Sequence, residues 1–355
     1  VRGIPANPGD GNYRGLLMIR SKHALVTGGA GFIGSHLVDR LLADGHRVTV
    51  IDDFSNGTRS NLDEAARQGR LNVEEANVWD FDEIAPHFEG VDWVFHLAAR
   101  ADIVPSIVDP MVYHRSNVDG TLSVLEAARG ASVKRFLYIA SSTCYGLPDS
   151  YPTPETAPAR PMFPYALTKY VAEQYVLHWH RTYGLPVVSI RLFNVFGTRH
   201  RTTGTYGAVF GVFLAQKLAG EPYTVVGDGT QTRDFTYVSD TCQGLIATMC
   251  SDIPNGEAVN IGSGQVYSVQ DLVATVAGIM DKPNYRIEID PARLRKLDIN
   301  VFECDYGKLH QATGWRPTIE MRDGLRMTID WFNAHGNRWS WEDWTEGAVV
   351  YDSSV

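Results

Sequence analysis

With 355 residues the chain is long enough for one large α/β domain or two smaller ones. Its 44% hydrophobic and 21% charged content is ordinary for a globular protein, and its net charge of -9 argues against nucleic acid or an anionic membrane as the main partner. Four scattered cysteines (144, 242, 250 and 304) form no CxxC pair, which suits a reduced cytoplasmic protein better than a disulfide or zinc framework, and no apolar run reaches the ~20 residues of a membrane span. Residues 1–17, rich in Gly, Pro and Asn and without an apolar core, read as a flexible extension rather than a secretory signal.

From Lys22 to about Phe193, β-rich runs alternate with segments of helical period. The runs are HALVT (23–27), RVTVI (47–51), LNVEE (71–75), DWVFHLA (92–98), RFLYIAS (135–141) and PVVSIRLF (186–193). Between them lie SHLVDRLLAD (35–44), TLSVLEAAR (121–129) and YALTKYVAEQYVLHWHRTYG (165–184). Such alternation predicts right-handed crossovers and a parallel sheet covered on both faces. After Asn194 the rhythm breaks into Gly- and Pro-rich loops, with helices expected at 208–219, 238–250, 269–280 and 322–333. The reading is a first domain over 18–193 and a smaller mixed α/β domain over 194–355, the chain free to cross back, with a cleft between them. Trp339, Trp341 and Trp344 suggest packing or an oligomer contact.

The first strand runs into TGGAGFIG, where Gly28, Gly31 and Gly34 have GxxGxxG spacing before a helix. Glycines there let the backbone approach a pyrophosphate at the helix N-terminus, where amides and the helix dipole favour negative charge. The second strand ends at Asp52, whose carboxylate can accept from ribose hydroxyls and would repel a 2′-phosphate, pointing to NAD over NADP. Asp53 is the alternative for that role. The fold class is therefore a Rossmann-type doubly wound sheet.

The fifth run stops at three hydroxyls, Ser141, Ser142 and Thr143, which either terminate the strand or line a site. Tyr165 and Lys169 stand four apart at a helix start, on one face. A phenol with a pKa near ~10 is a poor base at neutral pH, but a nearby ammonium favours phenolate, making Tyr165 a general base that Ser141 can assist. The eleven histidines form no metal-binding pattern, and His178 and His180 read as helix-surface residues.

TGGAGFIG, the Ser-Tyr-Lys set, HLAA (96–99), RLFNVFG (191–197) and GDGTQTRDF (227–235) resemble the extended short-chain dehydrogenase/reductases that act on nucleotide sugars, over roughly residues 22–333. The resemblance implies an N-terminal NAD site and a C-terminal nucleotide-sugar site. Phe32 and Ile33 would contact pyrophosphate. Asp52, Asp53, Phe54, Ser55, Asn56 and Gly57 would surround the ribose. Asn77 and Val78 would face adenine, Asn77 departing from the family's usual Asp. Leu97, Ala98, Ala99, Asn117 and Phe193 would lie along the cofactor. On the sugar-nucleotide side the implied residues are Ser106, Asn194, Thr224, Val226 and Asp298, with Arg233 and Arg295 as diphosphate clamps.

In that family the 4,6-dehydratases have an Asp-Glu pair just after the catalytic Ser/Thr, and the uronate decarboxylases have a Glu two residues after it. Ser142 and Thr143 stand there instead, so the resemblance implies 4-epimerisation: oxidation and re-reduction of one carbon. Arg201, seven residues after Asn194, matches an Arg that meets the C6 carboxylate of UDP-glucuronate; it can equally be a loop charge or a phosphate contact. Phe302 occupies a position where bulk disfavours an N-acetyl group at C2. UDP-glucuronate/UDP-galacturonate leads and UDP-glucose/UDP-galactose follows. An inactive NAD-binding scaffold is the alternative of another class. A homodimer through a bundle containing the Tyr165 helix is the family expectation.

Overall fold

The computed structural model describes residues 21–200, 213, 223–226, 229–280, 287–290 and 301–335. In chain order the first half gives β1 (His23–Thr27), α1 (Phe32–Ala43), β2 (Arg47–Asp52), α2 (Asp63–Ala66), β3 (Leu71–Glu75), α3 (Phe81–Ile84) and β4 (Trp93–His96). There follow α4 (Ile103–Val108), α5 (Pro110–His114), α6 (Gly120–Gly130), β5 (Arg135–Ser141), α7 (Pro164–Tyr183) and β6 (Val187–Leu192). The expected strand over 92–98 ends at His96, and the helix expected from residue 35 begins at Phe32.

Beyond β6 the chain leaves this sheet through β7 (Asn194–Phe196), β8 (Tyr223–Val226), β9 (Thr232–Tyr237) and α8 (Val238–Met249). It then re-enters as β10 (Glu257–Ile261), which pairs in parallel with β6 from Glu257↔Val188 to Ile261↔Leu192. The resulting parallel sheet has the order β10-β6-β5-β4-β1-β2-β3. The remaining elements are β11 (Val266–Ser268), α9 (Val269–Ile279), β12 (Ile287–Asp290), β13 (Val301–Phe302), α10 (Gly307–Thr313) and α11 (Met321–Ala334). Strand β9 is the hub of a small mixed sheet, pairing with β11, β13 and β7, while β12 pairs with β8. The helix expected at 208–219 and the three tail tryptophans lie outside the described residues apart from Phe213.

The apolar runs of the central strands are explained by burial on both faces. Along β5 the side chains alternate: Leu137 and Ile139 join the core with Leu37, Leu41 and Leu245, whereas Phe136 and Tyr138 join the opposite one with Val124, Leu125 and Val176. Helix α7 opens with Pro164 at its first turn, and Gly184 closes it at φ +72, its amide bonded to His180 O at 2.9 Å. Among the described residues no helix is long and apolar enough to cross a membrane. All four cysteines are free thiols.

Candidate active site

A cavity of about 460 Å³ follows the carboxyl ends of the parallel strands, the place where open α/β sheets bind ligands. Its first wall is the loop after β1. Gly28 has φ +70, and a Cβ there would lie 2.8 Å from the Ala98 amide nitrogen. At Gly34, in the first turn of α1, a Cβ would meet Gly28 O at 2.1 Å. The glycines thus let loop, helix and β4 crossover press together, with Gly31, Phe32 and Ile33 also facing the cavity.

At the end of β2, Asp52 is buried and accepts from the amides of Ala30 and Phe54, both at 2.9 Å. Burial pushes its pKa up while those amides hold it down. Asp53 accepts from the Ser55 amide and hydroxyl, at 3.0 and 2.7 Å, and from Asn77 Nδ2 at 3.3 Å. Ser55, Asn56, Gly57, Asn77 and Val78 share that end of the cavity. Phe54 does not: its φ is +55 and its ring lies under the Arg59 guanidinium, 3.9 Å away.

Leu97, Ala98 and Ala99 line the middle. Asn117 stands behind them. Its amide accepts from Arg100 N at 2.8 Å, donates to Arg100 O at 3.0 Å, and donates to Thr168 Oγ1 at 3.0 Å, so it ties the β4 crossover to α7. His96 is fully buried between Thr27 Oγ1 (2.7 Å) and Thr121 Oγ1 (3.0 Å). Thr121 gives its own proton to Asn117 O and therefore accepts from His96 Nε2–H, leaving Nδ1 to accept from Thr27. Burial, with a contribution from Lys169, holds the imidazole neutral down to about pH 3.

Ser141, Ser142, Thr143, Tyr165 and Lys169 converge at the far end. Ser141 Oγ accepts from the Thr143 amide at 3.2 Å and its hydroxyl at 2.9 Å. Both lone pairs are thereby engaged, and the one remaining proton serves the hydrogen bond to the Tyr165 phenol. Burial raises the Tyr165 pKa; Ser141 lowers it, and Asp102 and Cys144 raise it further. Lys169 is 4% exposed, its Nζ 4.5 Å from the centre of the Tyr138 ring. Burial brings its pKa down to about 7, opposed by Glu173. The arrangement can hold and move one proton at the Tyr165 oxygen.

Several expected residues fall elsewhere. Ser106 is fully buried behind the wall; it accepts from the Tyr165 amide at 3.0 Å and donates to Ile103 O. It holds the first turn of α7 rather than facing the cavity. Asn194 and Phe193 do line it, Asn194 donating to Asp234 O at 3.1 Å. Arg233 is outside the wall, its guanidinium 5.7 Å from the Phe302 ring, which itself packs edge-on to Phe193 at 6.1 Å. Thr224 and Val226 belong to β8, their side chains outside the described residues, as are Arg201, Arg295 and Asp298 altogether.

Sequence reasoning missed Arg100, Asp102 and His200, all in the wall. The His200 ring meets Phe32 edge-on at 4.7 Å. It is delivered by a turn pinned to α1, where Arg199 (φ +63) pairs with Asp39 at 2.7 Å and His36 Nε2 bonds to Thr198 O at 2.9 Å.

Residues 24–262 match the NAD dependent epimerase/dehydratase family. A UDP-glucose 4-epimerase of Mycolicibacterium smegmatis is 35% identical over 315 residues, 87% of this chain and 97% of that one. The structure of UDP-glucose 4-epimerase with UDP-glucose from Thermotoga maritima matches at 32% identity with a TM-score of 0.82, over 88% of this chain and 99% of that one. A UDP-glucuronic acid 4-epimerase variant from Bacillus cereus, in complex with UDP-4-deoxy-4-fluoro-glucuronic acid and NAD, matches at 29% identity with a TM-score of 0.81, over 88% and 99%. On matches that span most of its length, the chain belongs to the NAD dependent epimerase/dehydratase family.

Proposed function

We propose that the chain catalyses NAD-dependent 4-epimerisation of a UDP-sugar through a transient 4-keto intermediate, with UDP-glucuronate and UDP-galacturonate as the leading pair. The observation that carries the reaction is the Ser141–Tyr165–Lys169 cluster at one end of the cavity, with hydroxyls at 142 and 143 where elimination would need carboxylates. The glycine loop fits a dinucleotide: without side chains at Gly28 and Gly34 the loop can close on α1 and the β4 crossover, where a Cβ would strike the Ala98 or Gly28 backbone. Gly28, Gly31, Phe32, Ile33 and Gly34 would hold the pyrophosphate, Asp52 and Asp53 the ribose, and Asn77 and Val78 the adenine. When bound, NAD would supply a reversible hydride acceptor for C4, so that no reductant would be consumed. Tyr165 accepts the O4 proton and later gives it back. Ser141, with Thr143 directing its proton, steadies the phenolate that forms, and a protonated Lys169 favours the same state.

Two features support an acidic sugar: the offset of Arg201 from Asn194, and Arg100 in the cavity wall. Phe302 beside Phe193 supports a pocket too bulky for an N-acetyl group. UDP-glucose/UDP-galactose is the second reading, favoured by Asp102, whose carboxylate in the same wall disfavours a second anion. The proposed partner is a second copy of this chain, seated on the exposed Met111 of α5 and the exposed Leu167, Tyr175 and Tyr183 of α7.

The test compares kcat/KM for UDP-glucuronate and UDP-glucose in wild type and Arg201→Ala. A charge-assisted carboxylate contact contributes roughly 1.5–3 kcal/mol, so we expect a strong preference for UDP-glucuronate that the substitution erodes about ten- to hundredfold on the acidic substrate alone. A wild-type preference for UDP-glucose would promote the second reading. Net NADH accumulating with product would rule out simple epimerisation.

A further inference from the structure

Lys169 is almost wholly buried, and one side chain touches it at both ends. The Tyr138 hydroxyl donates to Lys169 O at 3.2 Å, and the face of the Tyr138 ring lies under Lys169 Nζ, 4.5 Å from ring centre to nitrogen. Tyr138 stands on β5, three residues before Ser141, and is fully buried in the core that holds Val124, Leu125, Ala172 and Val176. Glu173, one turn along, is the one acid on α7, yet its oxygens are taken by Arg191 and Ser189. Among the described residues, none accepts a hydrogen bond from Lys169 Nζ.

Burial penalises a charged amine, and it brings Lys169 down to about 7, opposed by Glu173. An aromatic face carries negative potential and attracts a cation, the more so where water is excluded. The hydroxyl bond anchors the ring to the turn of α7 whose ammonium it faces.

We propose that Tyr138 is a positioning residue acting through Lys169: its ring face keeps the ammonium charged and seated on the face of α7 that carries Tyr165. The inference rests on the proposed role of Lys169 in favouring phenolate.

The other titratable groups around Lys169 act differently. On α7 they are Tyr165 and Glu173, the latter paired with Arg191 of β6. Cys144, in the turn after β5, has a thiol that burial pushes up to about 12, and His96 on β4 is uncharged at neutral pH. Arg100 and Asp102 are further charges in the cavity wall. All of these stay the same when the ring at position 138 changes its charge distribution and keeps its shape.

The test compares Tyr138→Phe with the same position carrying 3,4,5-trifluorophenylalanine, whose fluorines withdraw the negative potential from the ring face. The Lys169 pKa is read by carbon NMR of Cε-labelled lysine, Lys169→Arg identifying the Lys169 signal. It should be lower with the fluorinated ring than with Phe by roughly half a unit to one and a half units. The alkaline limb of the kcat/KM profile should move to lower pH with it, whereas a ring that only fills space would leave that limb in place. The same Lys169 pKa with both rings overturns the proposal. If no UDP-sugar is turned over, the epimerase reading fails by itself, and the NMR titration still decides the role of Tyr138.

Discussion

Arg191 grips Glu173 in a bidentate pair, 3.0 Å from Nε to Oε2 and 2.6 Å from Nη2 to Oε1, with both side chains buried. The same guanidinium donates to Tyr145 OH at 3.0 Å, which donates on to Asn260 Oδ1 at 2.7 Å, so the pair links α7, β6 and β10. Breaking a buried pair from one side leaves an uncompensated charge. Glu173→Gln should therefore destabilise the protein by about 3–5 kcal/mol, read as a lowered urea midpoint. A loss below roughly 1 kcal/mol would show that the pair is not needed. The double change Glu173→Leu with Arg191→Met should cost less than the two single changes added together.

Gly34→Ala is expected to abolish NAD binding and lower the Tm, because the new Cβ would sit 2.1 Å from a backbone oxygen that cannot swing away. Gly130→Ala, with open space around it, serves as the control and should bind normally. Calorimetric titration with NAD checks both. Unchanged affinity in Gly34→Ala would place the pyrophosphate elsewhere.

His96 gives a pH dependence with a definite sign. In the unfolded chain its imidazole takes a proton near pH 6.5, whereas in the folded protein it stays neutral to about 3. The unfolded state binds more protons between those values, so this contribution to stability is complete above 6.5 and is lost as pH falls toward 3, at up to about 1.4 kcal/mol per unit. His36, whose pKa burial brings down to about 4 with Arg199 assisting, adds to the trend. Urea midpoints measured between pH 4 and 7 should fall less steeply in His96→Gln, which keeps a donor and an acceptor but cannot charge. Parallel slopes would contradict the assignment.

Tyr165→Phe should lower kcat by orders of magnitude with little change in UDP-sugar affinity, since only the proton acceptor is lost. Lys169→Ala should also slow turnover by removing the charge that favours phenolate. Near-normal rates in Tyr165→Phe would sink the assignment.

Much of this was legible because it is local. The central strand runs are apolar on both faces, unlike the edge run LNVEE, and the glycine spacing from 28 to 34 precedes a helix in the chain as it does in space. Tyr165 and Lys169 share a helical face by count alone. What stayed hidden depends on distant partners. Nothing near Glu173 announces Arg191, and nothing near Asn260 shows that its strand lies beside β6. Ser106 was expected against substrate, yet its hydroxyl is taken up by the Tyr165 amide and Ile103 O. Asn117 was expected along the cofactor, yet its amide clamps Arg100 and Thr168. Both side chains are polar groups that tertiary packing has already satisfied, and a single sequence does not reveal the partner.

The return of the chain at β10 bears on how the molecule is made. Emerging from a ribosome, the first 200 residues already hold every described group lining the cavity, yet β6 has no neighbour on its outer side until Glu257–Ile261 follows. During that interval a row of unpaired amides and carbonyls on β6 is open to another nascent chain. A gene truncated after the first lobe would keep that open edge permanently and should yield aggregates rather than a free-standing dinucleotide-binding module.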